Sequence, residues 1–181
     1  MSEHQGARDE PARSRRWYAC YTRARHEKTV DRQLRGRGIE TYLPLLERER
    51  RWKDRTKRVA FPLFPSYVFA RFTLRDIHEI LRTPGVSTIV RVAGHPAPIP
   101  DQELANVRLF VDALQTTGSE PDFGPYVEEG KRVRVVAGPL RGVEGIVVER
   151  RGRHRVLVGV SAIRQGLEVD VAVETLEPVG G

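Results

Sequence analysis

From residue 126 onward the chain carries no helical period. RVRVV, GIVVE, HRVLVGV and LEVDVAV are short, valine-rich runs in which apolar and polar side chains alternate, and Gly138, Pro139, Gly142, Gly145 and Gly152 punctuate them. Period-two alternation sets one face of each run against a core and the other in water. Valine suits that geometry, because a β-branched side chain is stiff and packs well on a pleated surface. Strands this short must hide their edges, and a small closed or partly open β-barrel does so. Residues 126–181 therefore read as an all-β module.

The chain before it follows another pattern. WYACYT is short, aromatic-rich and bounded by charge, and is expected to form a strand. Residues 25–36 carry Val30 and Leu34 four apart and are expected to form a helix ended by Gly36 and Gly38. IETYLPL reads as a strand stopped at Pro44. PSYVFARF alternates, with Tyr67, Phe69 and Arg71 facing one way and Val68, Ala70 and Phe72 the other, which predicts a central strand. RDIHEILRT reads as a short helix burying Ile77, Ile80 and Leu81, and STIVRV as one further strand. After Asp101, a capping residue, Leu104, Val107, Val111 and Leu114 mark an amphipathic helix. The order β-α-β-β-β-α-β-α predicts an α+β sandwich over 15–113, with helices on an antiparallel or mixed sheet. Residues 1–14 read as a disordered tail. Residues 114–125, which include TTGSEPDFGP, read as a flexible linker.

Charge divides the chain in the same place. Of the net +7, residues 15–113 hold +9 and residues 126–181 only +1. A polyanion should therefore meet the first module, and the second should prefer a protein. The segment 48–58, RERRWKDRTKR, holds seven Lys or Arg among eleven residues between two strand-like runs, which predicts a hairpin with a basic tip. Two readings of that tip stand side by side. Arg51, Lys53 and Arg55 would touch a nucleic-acid backbone with Trp52 stacking on a base, or the tip is a solvated charged turn with Trp52 folded over its stem. Cys20 is the one cysteine, so no internal disulfide is expected, and it reads as a buried structural thiol. The five histidines are scattered. No phosphate-binding glycine loop or metal-ligand spacing occurs, so the sequence predicts no catalytic residue, metal or cofactor. No run approaches a membrane span and the N-terminus lacks an apolar core, which predicts a cytoplasmic protein with no membrane contact.

Two motifs carry a resemblance. WYACYTRARHEK, then LPL, PLFPSYVFARF, TPGV and PAPIPDQEL, resembles the N-terminal domain of the NusG family of transcription elongation factors. GKRVRVVAGPLRGVEGIVV, residues 130–148, resembles the family's KOW motif, which implies an SH3-like barrel. The chain is compact after its first helix and carries the basic stretch 48–58 there. In this it is more similar to the specialised, RfaH-like antiterminators, which act on selected operons.

The resemblance implies partners and sites. Tyr21, Phe64, Pro65, Tyr67 and Phe69 would form an aromatic hollow for the clamp helices of the largest RNA polymerase subunit, with about three of the five expected at the surface. His78 falls where RfaH meets the opposite jaw, although Glu79 and Ile80 depart from the small hydroxylated residues found there; His78 also reads as a plain exposed helix residue. Arg23, matched in charge, with Arg25 and His26, would hold non-template or upstream DNA through sequence-blind phosphate contacts. In the GPLRG turn, Leu140 and Arg141 are expected to be exposed for a KOW partner, the termination factor Rho or a ribosomal protein. The implied activity is suppression of pausing and termination by a monomer that is not an enzyme. The competing reading is a KOW-containing ribosomal or RNA-binding protein.

Overall fold

The computed structural model describes residues 14–125 and 130–180, so the expectations for 1–13 and 126–129 lie outside the described residues. The elements up to the first long break are β1 (Arg16–Thr22), α1 (Glu27–Gly36), β2 (Glu40–Tyr42), β3 (Leu45–Trp52), β4 (Arg55–Pro62) and β5 (Tyr67–Phe72). They are followed by α2 (Ile77–Leu81), β6 (Val86–Ile89), β7 (Arg91–Val92), β8 (His95–Pro96) and α3 (Asp101–Thr117). Six strands remain: β9 (Asp122–Pro125), β10 (Arg132–Val135), β11 (Glu144–Arg150), β12 (Arg153–Val160), β13 (Gln165–Asp170) and β14 (Leu176–Pro178). The architecture is α+β. Two compact units share these residues: one joins the chain up to Leu43 with Phe64–Asp101, the other joins Pro44–Leu63 with the chain from Gln102.

The first unit is built on an antiparallel sheet in the order β2-β5-β1-β6. Its inner strands β1 and β5 are apolar on both faces: Trp17, Tyr18, Ala19 and Cys20 are all buried, as are Val68, Phe69, Ala70 and Phe72. Helix α1 packs on β2 and β5 through Val30 and Leu34, four residues apart on one helical face. Gly38, at φ 78°, stops it in the left-handed conformation that follows many helix ends, with its N–H donating to the Arg35 carbonyl at 2.9 Å. Helix α2 buries Ile80, while Ile77 and Leu81 stay half-buried. Its entry is fixed by Thr73, whose N–H and hydroxyl both donate to the Asp76 carboxylate, at 3.0 and 2.8 Å.

Two expectations change. STIVRV is not one strand, because β6 ends at Ile89 and Arg91–Val92 turns back on His95–Pro96 through Ala93 and Gly94, both at positive φ. The tight turn takes residues that the alternation alone assigned to a longer strand. Of the stretch 114–125 read as a linker, Leu114–Thr117 continue α3 and Asp122–Pro125 pair with β13 as β9. Glycine and proline hid that strand, and an edge position is where a sheet tolerates proline.

The second unit holds the six-stranded antiparallel sheet β14-β10-β11-β12-β13-β9, and the β3–β4 hairpin. Val133, Val135, Ile146 and Leu167 are buried, and on β12 the run from Val156 to Val160, Leu157 included, is buried on both faces. Helix α3 buries its expected stripe together with Phe110. Its polar groups bond within the unit: the Glu103 carboxylate accepts from the Ser161 N–H at 3.0 Å and hydroxyl at 2.7 Å, and the Asn106 carbonyl accepts from the Glu144 N–H at 3.3 Å. The Glu168 carboxylate is buried on β13, with Arg150 at 3.4 Å and Arg155 at 3.8 Å. A hydrogen bond from Arg153 and the nearby Arg155 charge hold the Asp170 carboxyl below its ordinary range. That contribution is whole above the ordinary carboxylate range and is lost as pH falls through the lowered value. Among the described residues no helix is long and apolar enough to cross a membrane.

Close packing makes a test. A Cβ on Gly145 would stand 2.4 Å from the Leu157 carbonyl oxygen, where neither β11 nor β12 can yield without breaking their ladder. Gly145→Ala is expected to cost the second unit about 2–3 kcal/mol. Gly152→Ala, in the open β11–β12 turn with nothing within 4 Å of the new methyl, should cost only about 1 kcal/mol for its positive φ. Thermal unfolding of the two variants checks the difference.

Candidate functional site

The ladder between β1 and β5 pairs Tyr21 with Tyr67, Ala19 with Phe69 and Trp17 with Arg71, and β2 sets Tyr42 against Phe69. Alternation puts all of these on one face of the sheet. Rings then meet along it: Tyr42 stacks on Phe69 at 6.4 Å, Phe64 meets Phe69 edge-on at 5.8 Å, and Tyr21 meets Tyr67 edge-on at 5.3 Å. Tilted and edge-on pairs of this kind are favoured and resist rotation. Depth sorts the five expected residues. Tyr21 is 42% exposed, Pro65 is exposed and Tyr67 half-buried, whereas Phe64 is 1% and Phe69 0% exposed. Phe64 and Phe69 are therefore core residues that support the face from beneath, a correction to their reading as contact residues. The surface presents Tyr21, Pro65 and Tyr67.

A rigid turn presents them. The Tyr67 N–H donates to the Phe64 carbonyl at 3.2 Å across Pro65 and Ser66, and Ser66 has φ 66°. Proline second and a left-handed residue third is the type II arrangement. Serine in that conformation carries strain, which local bonds offset. The Ser66 N–H donates to Glu27 Oε1 at 2.7 Å, and the Ser66 carbonyl accepts from the Thr22 N–H at 2.8 Å. Glu27 is buried in the first turn of α1, where the helix dipole favours a carboxylate. It is a positioning residue that periodicity alone passed over; the signal for it was Pro-Ser directly before the strand. Burial also pushes the Tyr67 phenol above its ordinary value, with Tyr21 adding to the shift. The Cys20 thiol is fully buried and pushed up to about 12, so the thiolate is not formed at neutral pH.

Arg23, Arg25 and His26 come together, all exposed, on the turn between β1 and α1. The Arg23 N–H donates to the Gly85 carbonyl at 2.8 Å, and Arg25 sits at φ 63°. Gly85 has no room for a side chain: a Cβ would lie 3.0 Å from Val30 Cγ2 and 3.2 Å from His26 Cβ. The PGV motif thus lets the backbone close against the basic turn. His78 is exposed on α2.

In the second unit, β3 and β4 pair along their whole length, from Leu45–Pro62 to Trp52–Arg55. Arg51, Lys53 and Arg55 are exposed at or next to the tip; the Trp52 side chain lies outside the described ones. Arg50 lies over the Phe61 ring at 5.1 Å. The base of the hairpin borders a hollow of about 650 Å³, shared with Leu114 and with Phe123, which is 59% exposed and escaped the sequence reading because it lay in the supposed linker. In the GPLRG turn the Arg141 N–H donates to the Gly138 carbonyl at 3.1 Å, with Gly138 and Gly142 both at positive φ. Arg141 is exposed, and Leu140 is half-buried rather than exposed because its carbonyl folds back to accept the Val143 N–H at 3.0 Å.

Glu27→Ala should loosen the aromatic surface from below. It leaves the half-buried Ser66 N–H without its acceptor, at a cost of about 1–2 kcal/mol. The measurement is the loss of amide-exchange protection at Ser66 and Tyr67 together with a lower melting temperature.

A family model described as "Transcription termination factor nusG" matches residues 15–108, the span that carries β1 and β5 and the surface between them. A Thermus thermophilus protein named "Transcription termination/antitermination protein NusG" is 27% identical over 174 residues, covering 85% of this chain and 94% of its own. A Staphylococcus carnosus protein of the same name is 28% identical and covers 98% of this chain and 99% of its own. A solved structure described as "Domain interaction in Thermotoga maritima NusG" is similar in fold, with a TM-score of 0.50 at 20% identity over 93% of this chain and 99% of that one. With more than half of the chain matched to the family model, and relatives aligned nearly end to end through both units, this chain belongs to the NusG family.

Proposed function

We propose that this chain is a transcription elongation and antitermination factor that binds RNA polymerase and lowers its pausing and termination. The observation that carries this is the surface of Tyr21, Pro65 and Tyr67, fixed on two fully paired strands and a hydrogen-bonded turn. Aromatic and prolyl groups held this firmly lose little entropy on binding, which is what a helix-accepting anchor needs. The partner is the clamp helices of the largest polymerase subunit. Bridging from there to the opposite jaw, with His78 as the contact, favours the closed, elongating state. The basic turn of Arg23, Arg25 and His26 holds non-template or upstream DNA by its phosphates, and Lys53 and Arg55 of the hairpin tip contact a nucleic-acid backbone in the same way. The module over 126–181 recruits Rho or a ribosomal protein through the Leu140–Arg141 turn. Its attachment to a factor already docked raises its local concentration there. The protein acts as a monomer in the cytoplasm, by positioning and not by catalysis. The compactness of the chain after α1, and not the hairpin's charge, supports an operon-selective role.

The ribosomal reading would rest on the KOW-like half alone. It leaves the surface presented by β1 and β5 without a use, and that surface lies in the span matched by the family model.

Tyr21→Ala and Tyr67→Ala are each expected to weaken co-purification with RNA polymerase about 30-fold, the effect of losing a binding anchor of about 2 kcal/mol. Circular dichroism should show an unchanged fold, since both rings are partly at the surface. Phe64→Ala differs: that ring is core, so the variant should lose about 3–5 kcal/mol of stability. Retention of polymerase by the folded double variant Tyr21→Ala/Tyr67→Ala would remove the docking surface from the proposal.

A further inference from the structure

The β3–β4 hairpin is not uniformly basic: its register sorts the charges by face. Successive residues of a strand point to opposite sides of a ribbon, and cross-strand partners point to the same side. Arg48–Val59, Arg50–Lys57 and Arg55 therefore share one side, and Glu47–Ala60, Glu49–Arg58 and Arg51–Thr56 share the other. The first side carries Arg48, Arg50, Arg55 and Lys57 and no acidic residue. The second carries Arg51 and Arg58 against Glu47 and Glu49, a balance of zero. Two contacts bear out the sorting. Arg50 lies over Phe61, two pairs below it on the cationic side, and Arg58 pairs with Glu49 at 3.5 Å on the neutral side. Arg48, nearest the base, is held by Glu120 at 3.4 Å. That leaves Arg50, Lys57 and Arg55, all exposed, as the outward cations of one face.

From this sorting we infer that the hairpin lies along a nucleic-acid backbone by one face only, with Arg50, Lys57 and Arg55 each meeting a phosphate. This deepens the nucleic-acid role proposed for the hairpin and rests on it. Arg50 and Lys57 are cross-strand partners in one row, and Arg55 lies one row nearer the turn, about 6.6 Å away, so the three cations form one compact patch on a single face. The contact carries no sequence information, because phosphates are the same at every base. The neutral face, where Arg58 is already paired with Glu49 and the remaining Arg51 and Glu47 balance in charge, points away from the nucleic acid.

Two double variants of the full-length protein separate this arrangement from a diffuse basic tip. Arg55→Gln/Lys57→Gln removes two positive charges from the cationic face, and Arg51→Gln/Arg58→Gln removes two from the neutral face. Binding is measured by fluorescence anisotropy without polymerase, on single-stranded DNA, single-stranded RNA and duplex DNA of one sequence, across a salt series. The slope of log affinity against log salt should fall by about 1.4 on single strands, or about 1.8 on duplex, for the first variant. It should fall by less than half as much for the second. Asymmetry on any of the three probes supports the inference and names the backbone that is held. Equal falls for the two variants would overturn it, and so would a wild type that binds none of the three probes. Arg55→Lys/Lys57→Arg should keep the wild-type slope, which separates loss of charge from damage to the turn. Tyr67→Ala should bind the oligonucleotides like wild type, so failure of polymerase docking and failure of this inference are told apart.

Discussion

The ladder between β1 and β5 decides what the first unit can offer a partner. Six residue pairs run from Arg16–Phe72 to Tyr21–Tyr67, and each sends its side chains to a set face. A slip by one residue would turn Tyr21 and Tyr67 into the core and bring Cys20 and Val68 out. Burial on both faces forbids the slip, since Cys20, Val68 and Ala70 fill space that a tyrosine would overfill. Core packing and surface chemistry are thus set by one register. The ring of Phe69 shows the coupling directly: it touches Tyr42 and Phe64 inside while its strand neighbour two residues back, Tyr67, reaches the solvent.

The end of that ladder is also where the chain bears strain. Ser66 and Arg25 both sit at positive φ beside the aromatic surface, and Gly85 closes against Val30 and His26 where no side chain fits. Each conformation costs about 1–2 kcal/mol for a residue with a Cβ. Glu27 offsets part of this from the helix side and Thr22 from the strand side. The cost is local and yields a turn that cannot relax, so Pro65 is already placed before any partner arrives. Preorganisation of that kind lowers the entropy lost on docking.

Much of this was legible in the sequence, for identifiable reasons. Alternation in PSYVFARF gave the facing of Tyr67 and Phe69, because side-chain period in a strand is fixed by backbone geometry. Depth was not legible: Phe64 and Tyr67 are both aromatic and lie within two residues of Pro65, and only the fold shows that one turns inward. The basic hairpin was visible from its composition, but its two unlike faces needed the pairing register, which depends on where the turn falls between Trp52 and Arg55. Val90 and Phe123 mark the other losses. A tight turn and a proline-bearing edge strand leave too few alternating residues for periodicity to register. Glu27 was hidden for a further reason. A buried carboxylate bonded to a distant backbone N–H, thirty-nine residues on, leaves no local pattern.

The two kinds of surface differ in what physics they can contribute. Tyr21, Pro65 and Tyr67 offer apolar area on a framework that does not move, and such contacts act at short range and set how long a complex lasts. The hairpin's cations act over about 8–10 Å at physiological salt and bias the approach of a polyanion before any close contact forms. Contacts to phosphate add affinity without choosing a sequence, so selectivity for particular transcription complexes cannot come from the hairpin's charge. It must come from the aromatic surface, from base contacts, or from a partner of the second unit. The proposed function would gain from this division: a specific hold on a polymerase moving over every sequence, beside a hold on nucleic acid that is indifferent to what passes beneath.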